Sequence, residues 1–275
     1  MAANPLARQP PDGAGVRRLV ITGASSGLGR ELAITYAAPK IEMLLLGRNE
    51  SRLHEAAARC RTLGAAVQAA VADVTDREAM SAVLHAFAAA GPVDLLVANA
   101  GVLRGPPSAS ELDGLEAAAE QISTNLLGVV YAVETLAPAM IARGAGQIAI
   151  VSSTASYRGL PYMPAYSASK AGVRAYGEAI RARLAPLGVC VSVITPSFFE
   201  SPMTDAFQGA KPMILSLAEA TRRVRAGLDR GAARIVFPRR MALLLQLIDL
   251  LPGRFGDRLL QADANIGRPA AADAT

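Results

Sequence analysis

Seven short apolar runs recur along the chain, at residues 19–22, 43–46, 67–71, 95–98, 147–151, 189–194 and 235–237. They are nearly continuous stretches of Val, Ile, Leu and Ala, the pattern of strands buried on both faces. Between them lie longer amphipathic stretches, among them 50–63, 77–89 and 126–143, whose apolar residues return every three to four positions as on a helix. Alternating strand and helix predicts βαβ units and an α/β fold built on one doubly wound parallel sheet of about seven strands. No internal repeat or compositional break marks a second domain. Past Phe237 the pattern changes, and residues 239–261 predict one or two helices with a large apolar face, broken at Pro252-Gly253. The tail 262–275 reads as disordered. The Pro-, Gly- and Ala-rich segment 1–17 reads as a flexible lead-in without the apolar core of a secretory signal. The organisation expected is thus a lead-in, a catalytic unit at 18–238 and a C-terminal extension at 239–275.

Composition narrows the class. The 275 residues are 52% hydrophobic, enough for a full-sized core. The net charge of +5 is scattered, and basic residues do not alternate with aromatic ones, so nucleic acid is not an expected partner. A mild basic excess suits a phosphate-bearing cofactor. Cys60 and Cys190 lie far apart without metal-like company, which predicts two buried thiols, a reducing compartment and a cytoplasmic location. His54 and His85 fall on surface helices and receive no role. The apolar run 241–251 is shorter than the roughly 20 residues that span a bilayer.

The first strand runs into Thr22-Gly23-Ala24-Ser25-Ser26-Gly27-Leu28-Gly29, and a helix follows. Gly23 permits a tight turn, Gly27 removes a Cβ where backbone approaches a pyrophosphate, and Gly29 allows close helix packing. Amide groups at the helix start, including those near Ser25, Ser26 and Leu28, face the phosphates. This spacing resembles the TGxxxGxG fingerprint of the short-chain dehydrogenase/reductase family, over roughly residues 18–237. The resemblance implies a single Rossmann-like sheet, a nicotinamide cofactor and hydride transfer between a ketone and an alcohol.

The second strand ends in Leu46-Gly47-Arg48-Asn49, where NAD-specific domains carry an acid for the ribose hydroxyl. Arg48 can instead grip a 2′-phosphate, so NADP(H) is expected in preference to NAD(H). Asp73, with Val74, resembles the family's acid near the adenine. Asn99-Ala100-Gly101 resembles its stretch after strand four, with Ala98 replacing the usual first Asn.

Tyr166-Ser167-Ala168-Ser169-Lys170 places a phenol and an ammonium one helical turn apart. A nearby positive charge lowers a phenol's pKa and readies it to exchange a proton with a carbonyl oxygen. Tyr36 and Lys40 share the spacing, but Pro39 breaks that helix. Tyr166 has company: Ser153 thirteen residues upstream, just past a buried strand, and Asn125 on the helix before that strand. Ser152 competes for the serine position. The lysines number three against 25 arginines, so Lys170 stands out where a tunable proton is wanted. These residues resemble the family's Asn–Ser–Tyr–Lys tetrad. The resemblance implies that Ser153 polarises the substrate oxygen and Tyr166 is the acid or base. It also implies that Lys170 lowers the Tyr166 pKa and bonds the nicotinamide ribose, while Asn125 holds a water.

After the sixth strand, Pro196-Ser197 stands where the family has Pro-Gly, and Ser201 where it has a Thr against the nicotinamide. Phe198, Phe199, Met203, Phe207, Met213 and Ile214 make the following segment apolar, which suits a hydrophobic ketone. Tyr157, Tyr162 and Met163 are expected on the opposite wall. The 239–260 run is open to three uses: a peripheral membrane contact, a cover over the substrate cleft, or a subunit contact. The resemblance further implies a homodimer or homotetramer built on the helices carrying Asn125 and Tyr166. The competing readings are a sugar-nucleotide epimerase or dehydratase and a non-catalytic NADP-binding scaffold or sensor.

Overall fold

The structure, a computed structural model, describes residues 16–106, 111–205 and 211–262. The expectations for residues 1–15, for Phe207 and for the tail after 262 fall outside the described residues.

Seven parallel strands are joined by helices: β1 Arg18–Thr22, α1 Gly27–Tyr36, β2 Glu42–Gly47, α2 Glu50–Thr62, β3 Ala66–Val71, α3 Arg77–Ala89, β4 Leu95–Ala98, α4 Leu115–Ile122 and α5 Gly128–Arg143. They continue as β5 Gly146–Val151, α6 Pro164–Leu184, β6 Val189–Pro196, α7 Pro202–Asp205, α8 Leu217–Asp229, β7 Arg234–Phe237, α9 Arg239–Asp249 and α10 Gly253–Ala262. The sheet order is β3-β2-β1-β4-β5-β6-β7. The chain therefore returns from the β3 edge to the middle of the sheet, and the strand order reverses between β1 and β4. A crevice opens at such a reversal, outside the carboxyl ends of the strands.

Both faces of the sheet are covered, which explains the continuous apolar runs. Leu19 and Ile21 of β1 pack with Leu32, Leu53 and Val224 of α1, α2 and α8 on one side. Val20, between them, packs with Leu84, Val133 and Val173 of α3, α5 and α6 on the other. β3 departs from expectation. It is an edge strand and only partly covered, with Val71 52% exposed.

The stretch expected at 126–143 is the second half of a longer rod, Leu115–Arg143. A π-turn at Ser123–Leu127 joins α4 to α5. The rod is long and apolar enough to cross a membrane by composition. Here Val129, Ala132, Val133, Leu136 and Met140 are buried beside the sheet instead.

The C-terminal run forms two helices, parted near Pro252 as expected. Met241, Ala242, Leu245 and Ile248 bury one face of α9. Arg158, in the loop after β5, bonds Asp249 of α9 at 3.2 Å and Asp257 of α10 at 2.7 Å. This clasp holds both helices over the carboxyl end of the sheet.

Two smaller expectations meet the structure here. Both cysteines are free, but only Cys60 is buried; Cys190 is half-buried. Burial, foremost, pushes the Cys60 thiol up to about 11. Helix α1 ends at Tyr36 and Lys40 sits in a turn at φ 72°, so the second Tyr-and-Lys spacing makes no helical pair.

Candidate active site

Two cavities meet at the carboxyl end of the sheet. The first, about 280 Å³, is a groove along the β1–α1 turn and the ends of β2, β4 and β5. Gly23, Ser25, Ser26, Gly27 and Leu28 line it. Gly23 adopts φ +67°, and a Cβ there would come within 2.8 Å of Ala100 Cα. Gly29 lies behind the wall, where a Cβ would run into the Gly23 carbonyl and the Asn99 side chain. Thr22 and Asn99 lock the turn to β4. Asn99 Nδ2 donates to the Thr22 and Gly23 carbonyls at 3.0 and 3.2 Å, and Thr22 Oγ1 accepts from the Asn99 and Ala100 amides.

The start of α1 is electrostatically bare. Helices α2, α3 and α8 each have a side chain capping the first turn and an acid within it: Asn49 with Glu50, Asp76 with Glu78, Ser216 with Glu219. Helix α1 has no capping side chain and no acid in its first turn. Its partial positive end and free amides face the groove, ready for an anion.

Of the other groove residues expected from the sequence, Arg48, Asn49, Val74, Asn99, Ala100, Gly101, Tyr166, Lys170, Pro196 and Ser201 also line it. Asp73 does not. Its carboxylate accepts from the Thr75 amide and hydroxyl at 2.9 and 2.8 Å and faces Arg48 at 3.6 Å. Burial pushes this acid up, but the Thr75 bonds and the Arg48 charge outweigh it and hold the pKa below its usual value. Arg48 also approaches Glu120 at 3.5 Å while remaining half-exposed. Arg52, one turn into α2, stands in the same wall, as does Thr124 of the π-turn. The sequence reading passed over both. For Arg52 the signal was its i, i+4 spacing from Arg48 across a helix start.

The second cavity, about 190 Å³, is an apolar chamber. Tyr166, Pro196, Phe199, Ser201 and Met203 border both cavities. Ser153 faces the chamber, accepts from the Ala155 amide at 3.2 Å and lies beside the Tyr166 side chain. Its neighbour Ser152 turns inward, donating to the Lys170 carbonyl at 2.8 Å. Ser152 therefore anchors α6, and Ser153 is the serine beside the phenol. A paired substitution separates the two. Ser152→Ala should lower stability by about 1 kcal/mol with kcat nearly retained, whereas Ser153→Ala, which also gives up a hydrogen bond from the Ala155 amide, should lower kcat, read by thermal melts and steady-state rates.

Lys170 is buried, and Nζ donates to the Val151 carbonyl at 3.0 Å, 5.8 Å from the Tyr166 ring centre. Burial lowers the Lys170 pKa from 10.5 to about 8. Burial also raises the Tyr166 hydroxyl above 10.0, with the nearby Ser153 side chain pulling the other way. Lys170 is not among the groups that move the Tyr166 pKa in this structure. Both groups lack solvent, and the cost of charging them dominates. Asn125 sits behind the groove wall. Its Oδ1 accepts from the Val102 amide at 2.7 Å, and Nδ2 donates to the Val102 carbonyl at 2.9 Å and Ser169 Oγ at 3.0 Å. A π-turn widens the helix by a residue and often marks a functional site. Here it directs Asn125 at the loop after β4.

Phe198, Phe199, Met203 and Met163 line the chamber as expected. Met213 and Ile214 do not; each is 44% exposed. Tyr157 stacks under Arg174 at 5.1 Å rather than joining the wall, and Tyr162 also lies off it. The missing wall comes from the C-terminal helices, through Met241, Leu244, Leu245, Ile248, Leu259 and Leu260. Ser197 replaces the expected glycine without disturbing the strand end; its amide donates to the Phe237 carbonyl at 2.8 Å. Ser201 Oγ accepts from the Thr204 amide and donates to Thr204 Oγ1, capping α7. Among the described residues no cluster of His, Cys, Asp and Glu could hold a metal.

A glycine-rich turn at the crevice of a doubly wound sheet, beside a buried Tyr–Lys pair and the half-buried Ser153, is the arrangement of an α/β oxidoreductase. The chain belongs to the short-chain dehydrogenase family, whose description matches residues 17–211. It is 34% identical over 242 residues to an uncharacterized oxidoreductase of Myxococcus xanthus, an alignment covering 88% of this chain and 95% of the relative. A short-chain dehydrogenase/reductase from Burkholderia phymatum in complex with NAD superposes with a TM-score of 0.76 at 25% identity, over 90% of this chain and 95% of that one. A variant of actinorhodin polyketide ketoreductase with NADPH superposes with a TM-score of 0.71 at 26% identity, over 81% and 95%. Solved neighbours thus carry either nicotinamide dinucleotide, and the family acts on CH–OH groups.

Proposed function

We propose that the protein uses NADP(H), in preference to NAD(H), to interconvert an apolar ketone and its secondary alcohol. The observation that carries this reading is the position of Tyr166. With Ser153 near it, Tyr166 lies where the phosphate-binding groove opens into an apolar chamber. The groove suits the cofactor: α1 presents uncapped amides, and Arg48 and Arg52 stand at the far wall for a 2′-phosphate. Bound there, the nicotinamide would supply or accept the hydride.

The chain's own residues then handle the oxygen and its proton. Ser153 donates to the substrate oxygen and polarises it. Tyr166, protonated at neutral pH because burial raises its pKa, gives up its proton as the alkoxide develops. Lys170 holds the ribose and its charge offsets the phenolate, while Asn125 secures the loop behind them. The apolar wall excludes water and gives a sugar nucleotide few partners, which weighs against the epimerase reading. Free cysteines fit a reducing, cytoplasmic setting. In this reading residues 18–238 are the catalytic unit, helices α9 and α10 of the 239–275 extension cover the chamber, and copies associate through the Asn125 and Tyr166 helices as a dimer or tetramer.

The pH profile tests the reading. Lys170 is an ammonium below about pH 8 and loses its charge above it, because burial disfavours the charged form. The kcat for ketone reduction should therefore fall above about 8. Lys170→Arg keeps a charge at every pH and should abolish that alkaline limb in whatever activity remains. A limb unchanged in Lys170→Arg would refute the role given to Lys170.

A further inference from the structure

Resting on the reading of the chamber as a ketone site, we infer that α9 and α10 form a docking surface for an anionic lipid bilayer, from which the substrate enters. Nearly half of the large exposed apolar side chains among the described residues lie on these helices and their joint. Leu243, Leu247, Leu250 and Phe255 are 53–81% exposed and do not line the chamber. Leu244 and Leu259 are about half exposed and do line it, so the chamber opens at the same surface.

The charges around this patch sum to a positive excess. Arg239, Arg240, Arg254 and Arg258 are exposed, and no ion pair engages them among the described residues. The only acids on the two helices, Asp249 and Asp257, are both engaged by Arg158. What faces outward is mainly leucine, phenylalanine and arginine, with Gln246 and the two paired aspartates among them, a make-up that suits a helix lying in a headgroup layer. A second copy of the chain fits poorly, since a two-fold contact sets the patch against itself and arginine against arginine. Leucines at the chamber mouth would then take an apolar ketone from the acyl layer without passing it through water.

The test is vesicle flotation of the full-length protein with NADPH, using phosphatidylglycerol and phosphatidylcholine vesicles. Binding to phosphatidylglycerol is expected, weakening with salt. Arg254→Gln and Arg258→Gln should each weaken it about fivefold, and Leu247→Ser with Phe255→Ser should abolish it. Because none of these residues lines either cavity, reduction of a small water-soluble ketone should be unchanged, while reduction of a ketone held in the vesicles should fall. Equal flotation of wild type and variants would overturn the proposal. So would a change of oligomeric state in the variants without lipid binding. Patch-dependent flotation with no ketone reduced in any form would overturn the entry route through failure of the ketone reading, separately from failure to dock.

Discussion

Replacing Tyr166 with Phe is expected to lower kcat by about 10²–10⁴-fold, the range that a positioned acid or base contributes. The substitution removes one oxygen from the junction of the two cavities and leaves the ring packed among Ala155 and Met163. The groove wall is otherwise unchanged, so the Kd for NADPH should stay within about twofold, read by quenching or enhancement of nicotinamide fluorescence. The combination matters. A fall in kcat with binding preserved assigns the phenol to the chemical step, whereas an unchanged kcat would remove Tyr166 from it. Loss of NADPH binding alone would point to a role in holding the cofactor.

The second large effect concerns cofactor choice. Arg48→Ala is expected to lower kcat/KM for NADPH about 10- to 100-fold, the worth of a charge-assisted hydrogen bond of about 1.5–3 kcal/mol, and to leave NADH nearly untouched. Arg48 is half-exposed, and its contacts with Asp73 and Glu120, at 3.6 and 3.5 Å, are of the kind that contributes little. The guanidinium is therefore free to exchange these carboxylates for a phosphate. Removing it also leaves two acids near the site, which adds repulsion against NADPH. With Arg52→Ala in addition, the preference should turn towards NADH. A ratio of kcat/KM values that neither substitution moves would contradict the assignment of the 2′-phosphate to this wall.

Much of this was legible in the chain because period and spacing carry it. Runs buried on both faces, such as 43–46 in β2, announce a parallel sheet regardless of what surrounds them. The Gly23–Gly27–Gly29 spacing and the Tyr166–Lys170 pair are local, and the structure brings Ser153 to Tyr166 as their separation implied. Energies that depend on the whole fold were less visible. Spacing puts Lys170 one helical turn from Tyr166, but the burial that raises the phenol and lowers the lysine is set by the whole fold. Asp73 looked available for a ligand until the Thr75 hydroxyl and amide claimed it.

The chamber wall was the least legible part. Aromatic residues near the active loop, Tyr157 and Tyr162, invited a place in it. Instead Tyr157 stacks with Arg174, and the wall is completed by leucines about 80 residues or more downstream. They are seated by the buried face of α9 and joined by Arg158 to Asp249 and Asp257, contacts that span 91 and 99 residues. No local period reports a clasp of that separation. The amphipathic pattern of 239–261 was consistent with a cover, a subunit contact or a membrane contact alike. The structure places its inner face on the chamber and its outer face in the open.

One measurement bears most directly on the account. The protein is mixed with NADPH deuterated at the transferable position and an apolar ketone, and the product is analysed by mass spectrometry. One deuterium on the carbinol carbon of each alcohol formed, with one cofactor oxidised, is the predicted result, and Tyr166→Phe should suppress it. NADPH that binds in the groove yet is never oxidised, across ketones small enough for the chamber, would contradict the account.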